Sequence, residues 1–141
     1  NIIEARQMME LFCVKLAIKN VDYHPLILKE MESIVKDFET ALEDGYPAAA
    51  DLDTRFHTLY IALCGNQQII KFYESNWSVG TMFYLYGIAH MPLSHHETAF
   101  FHHKEILNAL KTKDEETLYK AIETHMSIIY ETLEWYSQNV E

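Results

Sequence analysis

Apolar residues recur along this chain at spacings of three and four, the signature of helices that each bury one face. The pattern predicts about six. The first runs from about Ile2 to Lys19, with Met8, Leu11, Val14, Leu16, Ala17 and Ile18 giving a broad apolar face, and Asn20 to Tyr23 form a connector. Pro25, whose fixed φ suits a first turn, opens a second helix with a stripe of Leu28, Met31, Ile34, Val35, Phe38 and Leu42, which Gly45 ends. Pro47 opens a third, carrying Asp53, Phe56, His57, Tyr60, Ile61 and Leu63, and Gly65-Asn66 stops it, since glycine readily takes the left-handed conformation needed there. A fourth, from about Gln68 to Ala89, is rich in aromatics (Phe72, Tyr73, Trp77, Phe83, Tyr84, Tyr86), and Pro92 closes it. Ser94, with Glu97 three residues on, has capping-box spacing and starts a fifth helix that ends near Lys113. Asp114 caps a sixth, which runs to about Ser137 through Leu118, Ala121, Ile122, Ile128, Ile129 and Leu133. With no internal repeat or linker, the expectation is a single all-α domain, an antiparallel bundle with short loops.

Four polar residues break the apolar stripes. Asp53 and His57 are one turn apart and share a face with Phe56, Tyr60 and Ile61. His103 aligns with Ala99, Ile106, Leu107 and Leu110, and His125 is flanked by Ile122, Ile128 and Ile129. A carboxylate or imidazole inside a core is costly unless something binds it. Three helices each aiming such a group inward point to one shared divalent transition metal ion. Zinc is the first expectation, since it accepts N and O donors in a four-ligand site; nickel, manganese or iron would leave room for further oxygens. His102, beside His103, also lies near the apolar boundary, and His103 has the more complete stripe. His95 and His96, at the start of the fifth helix, are expected to be exposed.

Composition narrows the function. At 141 residues with 49% apolar and 23% charged residues, the chain can bury a sizeable core. Its 11 basic and 21 acidic residues leave a formal charge of -10, which repels phosphate backbones and anionic membranes, so this segment alone is not expected to bind nucleic acid. The most apolar stretch, Trp77 to Leu93, is broken by Gly80, Gly87, His90 and Pro92 and falls short of the roughly 20 residues of a membrane span. Two cysteines, Cys13 and Cys64, within helical patterns make no disulfide framework and suit a reducing cytoplasm. The sequence opens at Asn1 in mid-pattern, as a piece of a longer protein would.

A family resemblance runs through these segments. Asp53-Thr54-Arg55-Phe56-His57 resembles the D-x-x-F-H signature of the FCD domain, the C-terminal ligand-sensing domain of FadR-type regulators in the bacterial GntR family. Glu4 to Glu10 resembles its opening E-x-R-x-x-x-E helix, and Ala62 to Asn66 its small-residue G-N stop. His103 to Leu110 resembles its H-x-x-I-L-x-A-L helix, and Ala121 to His125 its final A-x-x-x-H, all in the family's order. The resemblance implies that Asp53, His57, His103 and His125 hold a metal that grips a small organic acid by its carboxylate. It also implies pairing as a homodimer, and DNA binding only through a winged helix-turn-helix domain preceding this segment. Many carboxylate-binding relatives carry arginines in or after the fourth helix, whereas this chain has only Arg6 and Arg55. Arg6 is in reach of the pocket or in an ion pair with a Glu, and Arg55 is expected to point into solvent. The effector-binding set expected on this basis is Arg6, Trp77, Tyr84 and His90, the last three in an apolar, aromatic wall that also includes Met82 and Tyr86.

Two other function classes compete with a sensor domain. A helical metalloenzyme needs an open metal position and a nearby general base; no spare carboxylate accompanies the four candidates, and the HExxH and paired Glu-x-x-His patterns are absent. A structural dimerisation module would instead bury the same histidines in hydrogen bonds without metal.

Overall fold

In the computed structural model, residues 2–44, 46–76 and 93–139 are described, and they contain six α-helices. Helix α1 spans Ile2–Asn20 and runs into a short 3₁₀ turn, Val21–Tyr23. Helix α2, Pro25–Asp44, places its proline in the first turn, where the missing N–H costs nothing, and the amides of Ile27 and Leu28 bond back to the carbonyl of His24. Helix α3 spans Tyr46–Ala62, α4 residues 67–76, α5 Leu93–Thr112 and α6 Glu115–Asn139.

The turns follow local chemistry. After α3 the chain reverses through Gly65 at φ 70, and Asn20 Nδ2 donates to the carbonyl of Leu63 at 2.9 Å. Asn66 then caps α4, its Oδ1 accepting the amides of Gln68 (3.0 Å) and Ile69 (3.2 Å). Gly65-Asn66 thus ends one helix and starts the next. Helix α5 stops with Lys113 in the left-handed region (φ 55), the Asp114 amide reaching the Ala109 carbonyl at 3.0 Å and the Lys113 amide that of Leu110 at 3.3 Å, a Schellman ending. Asp114 caps α6 through the Thr117 amide at 3.1 Å, as its position predicts. Ser94 lies within α5, which begins at Leu93. The side chains of the expected capping box, Ser94 and Glu97, and those of His95 and His96 lie outside the described set.

Packing relations close a cycle: α1 lies against α6, α6 against α5, α5 against α2, α2 against α3, and α3 against α1. The core fills the middle, with Cys13, Val14 and Ala17 from α1, Met31, Ile34 and Phe38 from α2, Phe56, Tyr60 and Ile61 from α3, Tyr73 from α4, Ile106 and Leu110 from α5, and Leu118, Ile122 and Met126 from α6. Met8, expected on the buried face of α1, is instead exposed, because the inward stripe is Arg6, Glu10, Cys13 and Ala17. Among the described residues no helix is long and apolar enough to cross a membrane.

Candidate metal centre

The cycle of helices encloses a polar cluster. Asp53 and His57 stack one turn apart on α3, His103 comes from α5 and His125 from α6, and all four are buried. One donor atom of each lies within 4.8 Å of every other. His57 Nε2 is 3.2 Å from His103 Nε2 and 2.9 Å from His125 Nε2. Asp53 Oδ1 is 2.8 Å from His103 Nε2 and 3.4 Å from His57 Nε2. Ring packing fixes these positions: His57 and His125 stack at 4.9 Å and 11°, while Phe56 and Phe38 meet the His103 ring at 4.7 and 5.0 Å.

The cluster's chemistry fits a cation. Both Asp53 oxygens are buried with no hydrogen-bond partner, so their short approaches to imidazole nitrogen lack a hydrogen bond's alignment. Donors at about 2.0–2.2 Å from one tetrahedral ion lie about 3.3–3.6 Å from one another, so separations of 2.8–3.4 Å need to open by only a few tenths of an ångström to accept one. Burial pushes the Asp53 carboxyl up, but the charge of His57 and the contacts with His103 and His57 outweigh it and hold the group well below the usual carboxylate range. Asp53 therefore remains an anion. Burial, reinforced by the neighbouring His103 and His57, pushes His125 well below an ordinary imidazole, and burial also lowers His103 against the pull of Asp53. Both are held neutral, the form that ligates metal.

Behind His57 lies a layer of groups from α1. His57 Nδ1 bonds Oε1 of Glu10, whose Oε2 accepts from Arg6 Nε at 2.9 Å and whose main-chain carbonyl accepts from the Tyr60 hydroxyl at 2.7 Å. Burial raises the Glu10 carboxyl, yet Arg6 and His57 together bring it below its ordinary value. For His57 burial lowers the imidazole, and the Glu10 charge, joined by Asp53, outweighs it, so the net is upward. Glu10 is not among the site residues that the apolar stripes single out. Arg6 and Glu10 are spaced i, i+4, as in a surface ion pair, and only the structure places them on the buried stripe with Cys13 and Ala17.

Of the remaining expectations, Arg6 is buried with its Nε on Glu10. Arg55 is half-exposed, 3.3 Å from Glu30 and turned away from the cluster as expected. His102 is buried but stands outside the four-residue group, edge-on to the His125 ring at 5.7 Å, so His103 is the member that α5 supplies. Trp77, Tyr84 and His90, with Met82, Tyr86 and the helical course expected from residue 77 to Ala89, lie outside the described residues.

Comparison with known proteins follows the same lines. The family model of the FCD domain matches residues 1–127. The chain belongs to the FCD family. Among solved structures, the FCD chain resembles the metal-free FCD domain of TM0439, a protein described as a transcriptional regulator, with a TM-score of 0.77 and 25% identity, covering 96% of this chain and 92% of that one. It also shares its fold with E. coli McbR/YncC, with a TM-score of 0.80 and 19% identity, covering 99% of this chain and 64% of that one. No curated protein sequence matches it.

Proposed function

We propose that this FCD domain is the effector-sensing part of a transcription regulator, in which Asp53, His57, His103 and His125 hold a divalent metal ion that helps bind a small organic acid. The observation that carries the reading is the buried, mutually close Asp-His-His-His group. One neighbour, TM0439, is described as a transcriptional regulator, and the naming of its FCD domain as metal-free supports a family in which metal occupancy matters.

The donor set is one carboxylate and three imidazoles, which suits zinc first and nickel, manganese or iron second. A bound ion would supply a Lewis-acidic contact for an effector carboxylate. Asp53 contributes the fixed negative charge, and the neutral His103 and His125 contribute lone pairs. Phe38 and Phe56 shield the centre on the His103 side, lowering the local dielectric and strengthening each polar contact. Arg6, Trp77, Tyr84 and His90 are the proposed effector contacts, with Arg6 acting through its guanidinium while Nε stays on Glu10.

DNA binding belongs, in this reading, to a winged helix-turn-helix domain preceding α1 in a cytoplasmic regulator, because a chain of net charge -10 repels phosphates. Regulation then requires that the effector bind two arrangements of a homodimer unequally. The test is calorimetric titration of small mono- and dicarboxylates into zinc-loaded and metal-free protein. Binding that requires the metal supports the proposal; equal binding to both forms, or none to either, contradicts it.

A further inference from the structure

Among the described residues, Glu10 is the one buried charge in contact with the cluster that does not belong to it. It is fully buried, and all three of its oxygens are engaged: Oε1 by His57 Nδ1, Oε2 by Arg6 Nε at 2.9 Å and the carbonyl by the Tyr60 hydroxyl at 2.7 Å. A buried Arg–Glu pair is weak evidence for stability, since desolvation offsets most of the attraction. The geometry has a more specific consequence. Arg6 Nε–H is a permanent donor, and both carboxylate oxygens of Glu10 are acceptors only. The nitrogen of His57 facing Oε1 must therefore carry the proton. In a neutral ring that leaves the lone pair on Nε2, the atom 2.9 Å from His125 Nε2 and 3.2 Å from His103 Nε2.

We propose that Glu10, anchored by Arg6, is the positioning residue of the metal centre: it fixes His57 as the Nδ1–H tautomer and so makes Nε2 a ligand. This rests on the metal reading above and extends it to α1, which carries both Arg6 and Glu10. Outer carboxylates of this kind are worth about 10–100-fold in metal affinity. Glu10→Gln is a discriminating change because an amide has only one oxygen. Arg6 claims that oxygen, the NH₂ group then faces His57 Nδ1, and two donors cannot share a contact. The ring is pushed to the Nε2–H tautomer, which turns an N–H toward the other ligands.

The experiment combines two readouts. In metal-free wild-type protein at alkaline pH, ¹⁵N correlation spectra of the histidine rings report the His57 tautomer without any metal; Nδ1–H is expected, and Nε2–H overturns the proposal. Competition titrations with zinc and a chromophoric chelator then compare wild type with Glu10→Gln. A loss of about 10–100-fold is expected, with the His57 tautomer reversed and the backbone amide spectrum otherwise preserved. Wild-type protein that takes up zinc while Glu10→Gln binds it equally well overturns the role of Glu10 and leaves the metal reading standing. Wild-type protein that takes up no zinc overturns both. The wild-type tautomer spectrum decides the matter even if the variant does not fold.

Discussion

Replacing His125 with leucine separates a metal ligand from a structural core histidine. His125 is 1% exposed, its Nε2 is 2.9 Å from His57 Nε2, and its Nδ1 is buried with no hydrogen-bond partner. Removing a buried unpartnered polar atom relieves about 1–3 kcal/mol of desolvation, and losing one contact with His57 costs about 0.5–1.5 kcal/mol. Leucine is close to histidine in volume, so repacking against the stacked His57 ring costs less than about 1.5 kcal/mol. These effects nearly cancel. His125→Leu is therefore expected to leave metal-free stability within about 1 kcal/mol of wild type, or slightly above it. Zinc tells the two proteins apart: a ligand that binds only the folded state at 1,000 times its Kd adds about 4 kcal/mol to wild type, and the variant, missing one of four donors, gains much less. Urea denaturation with zinc and with chelator measures both quantities. A variant that loses more than about 2 kcal/mol without metal, beside a wild type that gains nothing from zinc, would return His125 to the structural core.

Other outcomes follow from the same geometry. The His57 imidazole is held above its ordinary 6.5 and must give up its Nε2 proton to ligate, so zinc binding near neutral pH is expected to release protons and to weaken as pH falls through the raised value; calorimetry in buffers of different ionisation enthalpy checks this, and buffer-independent heats contradict it. Phe56 is fully buried against the rings of His57 and His103, so Phe56→Ala should cost about 3–5 kcal/mol in chemical denaturation and weaken zinc binding as well, whereas an effect on stability alone would show that the ring does not support the ligands. Gly65 has φ +70, and an added Cβ would sit 3.4 Å from Asn20 Nδ2, so Gly65→Ala should cost about 1–2 kcal/mol with zinc affinity unchanged.

Much of this molecule can be read from its sequence, for identifiable reasons. Helix existence follows from apolar spacing, and the stops at Gly65 and Asp114 follow from residues whose backbone or side-chain preferences leave little choice. The four cluster residues stand out because each is polar where its neighbours are apolar. Glu10 escapes the same test because Arg6 one turn earlier makes the pair resemble a surface ion pair; only α3 packing against α1 reveals that the carboxylate faces His57. Met8 misleads in the opposite sense. The outer side of α1 carries exposed Met8 and Phe12, so apolar residues surround that helix and periodicity cannot select its buried face. His103 is preferred over the adjacent His102 because its apolar stripe is more complete, and the structure sets His103, not His102, against Asp53.

X-ray absorption at the zinc edge, on wild-type protein loaded with one equivalent of zinc, reads the Asp53, His57, His103 and His125 centre itself. One tightly held ion per chain is expected, in a shell of nitrogen and oxygen at about 2.0–2.2 Å, with the multiple-scattering pattern of imidazole and no sulfur. A sulfur shell, implicating Cys13 or Cys64, or zinc lost on simple gel filtration, would contradict it.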